Sequence, residues 1–136
     1  MSETNKALVL KFLDRLGAGD IEAMKPMMTA DIKAYAMGYS VLSGVRDYAT
    51  ICATAGAFPL VLRNGLNPKI ISVTAEADRV VVEWEGNAEL VNGKKYCNQY
   101  SMLFTVREGK VSGIKEYFCT KLADETLGPL LAGLGQ

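Results

Sequence analysis

The acids, phenols and amides that could move protons in this chain gather between residues 79 and 118. Glu83, Glu85, Asn87 and Glu89 alternate there, followed by Asn98, Tyr100 and Glu116. The chain has no histidine. That removes the usual general base, the commonest metal ligand and every Ser-His or Cys-His arrangement. Proton chemistry falls to Glu, Asp, Tyr, Cys or Lys.

Two turn signals cut the stretch into three β-rich runs. Asn92-Gly93 is the strongest short-range hairpin signal, because a type I′ turn needs φ > 0 at both central residues. Counting from it sets Glu89 opposite Tyr96, Asn87 opposite Asn98, Glu85 opposite Tyr100 and Glu83 opposite Met102. Arg107-Glu108-Gly109 suits a three-residue loop with Gly in the left-handed position. That places Tyr100 opposite Glu116, Asn98 opposite Phe118 and Met102 opposite Ile114. A two-residue Glu108-Gly109 turn would send Glu116 to the other face, since a one-residue slip exchanges the faces. Under the first register one row reads Glu85–Tyr100–Glu116, with Glu83, Asn87, Asn98 and Phe118 around it.

In an apolar hollow, desolvation raises a carboxylate's pKa, and a like-charged neighbour raises it further. Strands lie about 4.8 Å apart, so Glu85 and Glu116 would stand about two strand spacings from one another. One could stay ionised as base while the other keeps a proton as acid, which lets a site without histidine do both jobs near neutral pH. Tyr100 between them can donate to either carboxylate or to an oxygen that gains negative charge. Asn98 and Asn87 can orient a carbonyl or a water. Phe118, Met24, Phe58 and Leu62 are candidates for the apolar wall. The same alternation also describes a strand with one wet face, on which the acids are solvated and Trp84 is core.

At 136 residues the chain is expected to form one domain with a core that needs no staples. Apolar residues make up 49% and the formal net charge is zero, so neither disorder nor an electrostatic pull to nucleic acid is expected. Cys52, Cys97 and Cys119 are odd in number and match no zinc spacing, and they read as small buried hydrophobes. No cofactor or metal is expected, since carboxylates alone make a weak transition-metal site. Without a signal-peptide pattern or an 18-residue apolar run, the chain reads as cytoplasmic, away from membranes.

The positioning elements follow from periodicity. Ser2 or Thr4 can cap a helix carrying Leu8, Phe12 and Leu16 on one face, ended by Gly17-Ala-Gly19. Asp20 can cap a second helix to about Met28, kinked at Pro26. A short strand from Ile32 to Met37 should precede a loop through Ser43-Gly44. A long helix should run from Val45 to Ala55 and continue less regularly through Pro59 to Leu62. Lys69 to Ala75 is the next strand, and Thr120 to Leu127 a final helix before the apolar, glycine-rich tail 128–136. Arg46 and Asp47 read as surface or local ion-pair residues. Helices first, then a run of antiparallel strands, is an α+β layout with helices on one face of a curved sheet.

Four stretches carry a resemblance: Leu16-Gly-Ala-Gly-Asp20, Met28-Thr-Ala-Asp31, Ser43-Gly-Val-Arg46 and Arg107-Glu-Gly-Lys-Val-Ser-Gly-Ile-Lys-Glu-Tyr-Phe118. As an ordered set spanning nearly the whole chain, they resemble the SnoaL-like branch of the nuclear transport factor 2-like superfamily, relatives of ketosteroid isomerase and limonene epoxide hydrolase. The resemblance implies a single domain over residues 1–136, with a cone-shaped cavity between a bent, mostly antiparallel sheet and its helices. It also implies a homodimer, for which Trp84, Ser101, Leu103, Lys115 and Tyr117 would supply the outer sheet face. The epoxide hydrolase's water-activating Asp falls on Glu116 and its second catalytic Asp on Glu85. Its bridging Arg falls on Glu83, reversing the charge, and its water-holding Tyr and Asn fall near Ala34 and Ala36. The isomerase's Tyr falls on Phe12, its base near Ala36 and its oxyanion-hole Asp near Met102. The function this implies is a cofactor-free acid–base isomerase, cyclase, dehydratase or lyase acting on a small hydrophobic cyclic or aromatic molecule. Glu116, Tyr100 and Glu85 are its catalytic residues. The alternatives are an epoxide hydrolase and a non-catalytic small-molecule binding protein.

Overall fold

The computed structural model describes residues 2–133. The chain begins with α1 (Ser2–Ala18), which buries Val9, Phe12 and Leu13, the spacing of a one-faced helix. Gly19 ends it at φ 72°, a left-handed cap that costs glycine nothing. Asp20 Oδ1 then accepts the Ala23 N–H at 3.2 Å and starts α2 (Ile21–Met24). Pro26 tightens the next residues into a 3₁₀ turn, Lys25–Met27. The first strand therefore opens earlier than expected, as β1 (Met28–Ala36).

Val45 does not start a helix. It lies in a short strand, β2 (Gly44–Arg46), opposite Tyr35. The helix begins after it as α3 (Tyr48–Val61), where Asp47 caps the Thr50 N–H at 2.9 Å. It stays regular through Gly56 and tolerates Pro59 in its last turn. Four strands follow: β3 (Lys69–Glu76), β4 (Arg79–Glu89), β5 (Lys95–Arg107) and β6 (Lys110–Phe118). The expected final helix breaks at Thr126 into α4 (Thr120–Glu125) and α5 (Leu127–Ala132). Leu134, Gly135 and Gln136 of the expected tail lie outside the described residues.

The sheet order is β2-β1-β6-β5-β4-β3, antiparallel throughout except for the parallel β1–β6 pair. This is the expected α+β layout, with the helices against the inner face of the sheet. Phe12 of α1 meets Phe104 of β5 edge-on, with ring centroids 6.1 Å apart.

The two hairpins exchange their expected loop types. Between β4 and β5 the loop has three residues, Val91-Asn92-Gly93. The Gly93 N–H reaches Leu90 O at 2.9 Å, the Leu90 N–H reaches Lys94 O at 2.8 Å, and Gly93 alone has φ > 0 (88°). Glu85 consequently faces Gln99 and Trp84 faces Tyr100. The cause lies in the strand: Val80, Val82, Trp84, Ala88 and Leu90 are all buried, and a two-residue turn would have put every one of them outside. Between β5 and β6 the turn is two residues, with Glu108 (φ 53°) and Gly109 (φ 73°) both left-handed as type I′ requires. A bulge at Ser112, between the pairs Val106–Val111 and Thr105–Gly113, then adds one residue. Glu116 ends on the same face as Tyr100, opposite Met102, while Phe118 faces Tyr100.

Two glycines with similar backbones separate strain from crowding. A Cβ at Gly93 (φ 88°) meets nothing within 4 Å, whereas one at Gly65 (φ 77°) would stand 2.6 Å from the Gly17 carbonyl oxygen. Gly93→Ala is expected to cost about 1–2 kcal/mol of left-handed strain. Gly65→Ala should cost roughly double, because the turn must also back away from α1. Denaturant midpoints of the two variants check this, and equal losses would contradict the crowding.

Candidate functional site

The inner face of β4–β6 presents Trp84, Tyr96, Tyr100, Met102, Glu116 and Phe118 to a cavity of about 110 Å³. Helix α1 closes it with Phe12 and Leu16, α3 with Ile51, Thr54 and Phe58, and α5 with Leu127 and Leu131. Arg46 at the end of β2 borders it too.

Among the described residues Glu116 is the only carboxylate on this wall. It keeps some accessible surface, but that surface lines the hollow. Burial pushes its carboxyl up to about 7, and the positive charge of Arg46 holds it back. Among the described residues no side-chain hydrogen bond reaches the carboxylate, and Arg46 forms no ion pair with it within 4 Å. At neutral pH such a group is shared between base and acid forms.

Beside it stands a stacked aromatic column. Trp84 and Tyr100 lie 4.0 Å apart at 6° between planes, and Phe118 tilts against Tyr100 at 5.6 Å. The Trp84 indole N–H donates to the Met102 sulfur at 3.1 Å. The Tyr96 and Tyr100 hydroxyls lie 2.9 Å apart, and Asn98 Nδ2 donates to the Tyr96 oxygen at 3.0 Å. Burial pushes the Tyr100 phenol well above its usual value, with added pressure from Tyr96 and Glu116. Tyr96 is raised by the same burial, against its hydrogen bonds with Tyr100 and Asn98. Both phenols therefore stay neutral. Since an amide NH₂ can only donate, the Tyr96 oxygen accepts from Asn98, and between the two phenols either hydroxyl can be the donor. Where Tyr96 donates, the Tyr100 proton is left for the cavity.

The sequence-predicted site divides. Glu116, Tyr100, Phe118 and Phe58 line the cavity. Glu85, Glu83 and Asn87 do not, because the three-residue loop turns them to the outer face. There Glu85 accepts from Gln99 at 3.0 Å, Glu83 from Ser72 at 2.6 Å, and Asn87 from the Cys97 thiol at 3.2 Å. The Glu85–Tyr100–Glu116 row is corrected accordingly. Met24 and Leu62 are core residues at 0% and 1% exposure, away from the hollow. Asn98 stands behind the phenols. Its Nδ2 also donates to Cys119 O, and its Oδ1 accepts the Cys119 and Gln99 N–H groups, so it has nothing left for a ligand. Cys97 and Cys119 are exposed and Cys52 partly so, not buried as expected.

Sequence reasoning missed Trp84, Tyr96 and Arg46. Tyr96 was within reach, two and four residues before Asn98 and Tyr100 on one face. Trp84, expected on the outer face, moves inward with the register. Nothing in the spacing marks Arg46, which becomes a wall residue only through the pairing of β2 with β1.

A family model described as a SnoaL-like domain matches residues 9–114. No curated protein matches the chain in sequence. Among solved structures the chain is similar to an NTF2-like protein from Burkholderia xenovorans LB400, at 22% identity and TM-score 0.74, covering 93% of this chain and 97% of that one. It is similar to Bal32a, from a soil-derived mobile gene cassette, at 20% identity and TM-score 0.80 over 92% and 97% of the two chains. It is also similar to TerC, crystallised with polyporic acid, at 23% identity and TM-score 0.76 over 92% and 98%. At these identities the structures establish the fold.

A carboxyl raised from 4.5 to about 7 on folding makes the native state bind more protons than the unfolded chain between those pH values. Stability from this group is therefore complete below pH 4.5 and lost as pH rises through 7. Glu116→Gln should be more stable than wild type at pH 8 by up to about 3 kcal/mol, and little different at pH 4. Denaturation curves at both pH values check it. A variant no better than wild type at pH 8 would show the carboxylate to be solvated.

Proposed function

The chain belongs to the SnoaL-like domain family, and on that premise we propose that it is a cofactor-independent acid–base enzyme. The reaction is an isomerisation, cyclisation or elimination on a small, mainly apolar ring compound. The supporting observation is the unpartnered Glu116 carboxyl, pushed up to about 7 beside a phenol proton in one apolar hollow. A dry cavity of roughly 150 Å³ admits one benzene ring; a hollow of about 110 Å³ that is not fully enclosed is of that order, enough for a single ring with the rest of the molecule reaching outward.

Ionised Glu116 takes a proton from the carbon next to a ring carbonyl. Tyr100 donates a hydrogen bond to the carbonyl oxygen as it becomes an enolate, and Tyr96 and Asn98 polarise that donor from behind. Removing one such donor costs about 10²–10³ in rate in comparable sites. The protonated Glu116 then returns the proton to another carbon or to a departing oxygen. Glu85 is not needed, since one carboxyl can take and return the proton. Epoxide opening by paired carboxylates loses its second acid for the same reason. A binding protein remains the alternative, and turnover separates the two.

We place the protein in the cytoplasm. Among the described residues no helix is long and apolar enough to cross a membrane. We also keep the homodimer, joined through the outer face around Leu103, Lys115 and Tyr117, the last 50% exposed. Sedimentation equilibrium tests the dimer, and a monomer at tens of micromolar would remove it.

Deuterium exchange into cyclic ketones in heavy water reads the proposed step without knowledge of the final product. Wild type should catalyse exchange next to the carbonyl. Glu116→Gln should abolish it, and Tyr100→Phe should slow it about 10²-fold. Exchange persisting in Glu116→Gln would end the assignment.

A further inference from the structure

The chain has five arginines. Arg15, Arg63, Arg79 and Arg107 each pair with a carboxylate. Among the described residues Arg46 pairs with none. It is held by one hydrogen bond, from Nη2 to the Leu42 carbonyl oxygen at 2.8 Å. Arg46 stands where two hollows meet: the inner cavity and an outer one of about 240 Å³ lined by residues 41–46 with Thr50, Thr54 and Leu131.

A guanidinium carries five donors, and one is used here. Its surroundings are mostly apolar: Leu42, Ile51 and Leu131 among them. A partly desolvated cation with spare donors favours a planar anion that accepts two parallel hydrogen bonds. Glu116 lines the same cavity, but among the described residues the two form no ion pair within 4 Å.

We infer that Arg46 is a specificity-determining residue that receives an ionised oxygen of the ligand, a carboxylate or an acidic enol, while the ligand's ring lies against Trp84 and Tyr100. The substrate class is then an amphipathic ring acid whose charged group sits at the throat between the hollows. The inference rests on the proposed acid–base reading for its orientation, since it puts the reacting carbon deeper than the anion. The anion occupies the guanidinium, so the phenol proton of Tyr100 stays free for a second oxygen on the ring.

Trp84 is the only tryptophan and lies in the cavity wall, so its fluorescence reports occupancy. The probes are 3-phenylpropanoate and 3-phenylpropanamide, equal in shape and different in charge. They are titrated at pH 6, where Glu116 is mostly protonated and does not repel the acid. Wild type should bind the acid about tenfold more tightly than the amide. Arg46→Gln should bring the acid down to the amide, and Arg46→Lys should keep part of the preference. Equal affinities in wild type, a preference surviving Arg46→Gln, or no binding of either at millimolar concentration would each overturn the assignment. The wild-type comparison stands even if a variant fails to fold. If the acid preference fails while Glu116 still titrates near 7, the acid–base reading survives. If Glu116 titrates near 4.5, that reading falls alone.

Discussion

A carboxylate stays near its proton at neutral pH only where nothing replaces the water it has lost. The inner wall of this sheet supplies that condition to Glu116. Its neighbours are aromatic rings, Met102 and aliphatic helix faces, and the hydrogen-bonding groups within the wall are engaged with one another. The phenols bond to each other, Tyr96 accepts from Asn98, and Asn98 bonds to the Cys119 backbone. The charge on Arg46 reaches Glu116 through space without contact. If Glu116 were hydrogen-bonded to either tyrosine, its acidity would return toward that of an exposed acid, and the site would lose its base and its acid together.

The polar cluster behind the aromatic column follows from the cost of burying unsatisfied groups. Asn98 is 2% exposed, so each of its polar atoms must find a partner inside the protein. It finds them in Tyr96, in the Gln99 N–H and in the chain entering α4. The bond to Tyr96 orients the phenols, and the two to Cys119 tie the C-terminal helices, which carry Leu127 and Leu131 over the hollow, to β5. A residue expected to touch the ligand does its work one layer back.

The fold was legible because it depends on patterns that survive small errors. Helical spacing marked α1, turn residues marked the strands, and the motif set marked the family. The site was legible only in part, because it depends on parity. Asn92-Gly93 prefers a two-residue turn locally, yet the buried alternation Val80, Val82, Trp84 outweighs that preference. That alternation was written in the strand and pointed the other way from the turn. On the far side the two-residue Glu108-Gly109 turn would have sent Glu116 outward, and the bulge at Ser112 brought it back. Gly113 inside the strand is the one local sign of a bulge, and it fixes neither its presence nor its position. Glu116 was therefore placed on the right face through a register that was wrong in both its parts, and Glu85 on the wrong face through a turn read in isolation.

The loss of Glu85 changes the chemistry as well as the geometry. With two acids in one hollow, each would raise the other, and the pair would share a proton by electrostatic repulsion. With one, the rise at Glu116 comes from desolvation, and Arg46 opposes it. A single base on one wall must return the proton from the side on which it took it. On the reading proposed here, the proton therefore leaves and re-enters one face of the ring, the face turned to β6. In that proposal a flat ring lies along the stacked Trp84–Tyr100 pair, which would leave it little freedom to turn over.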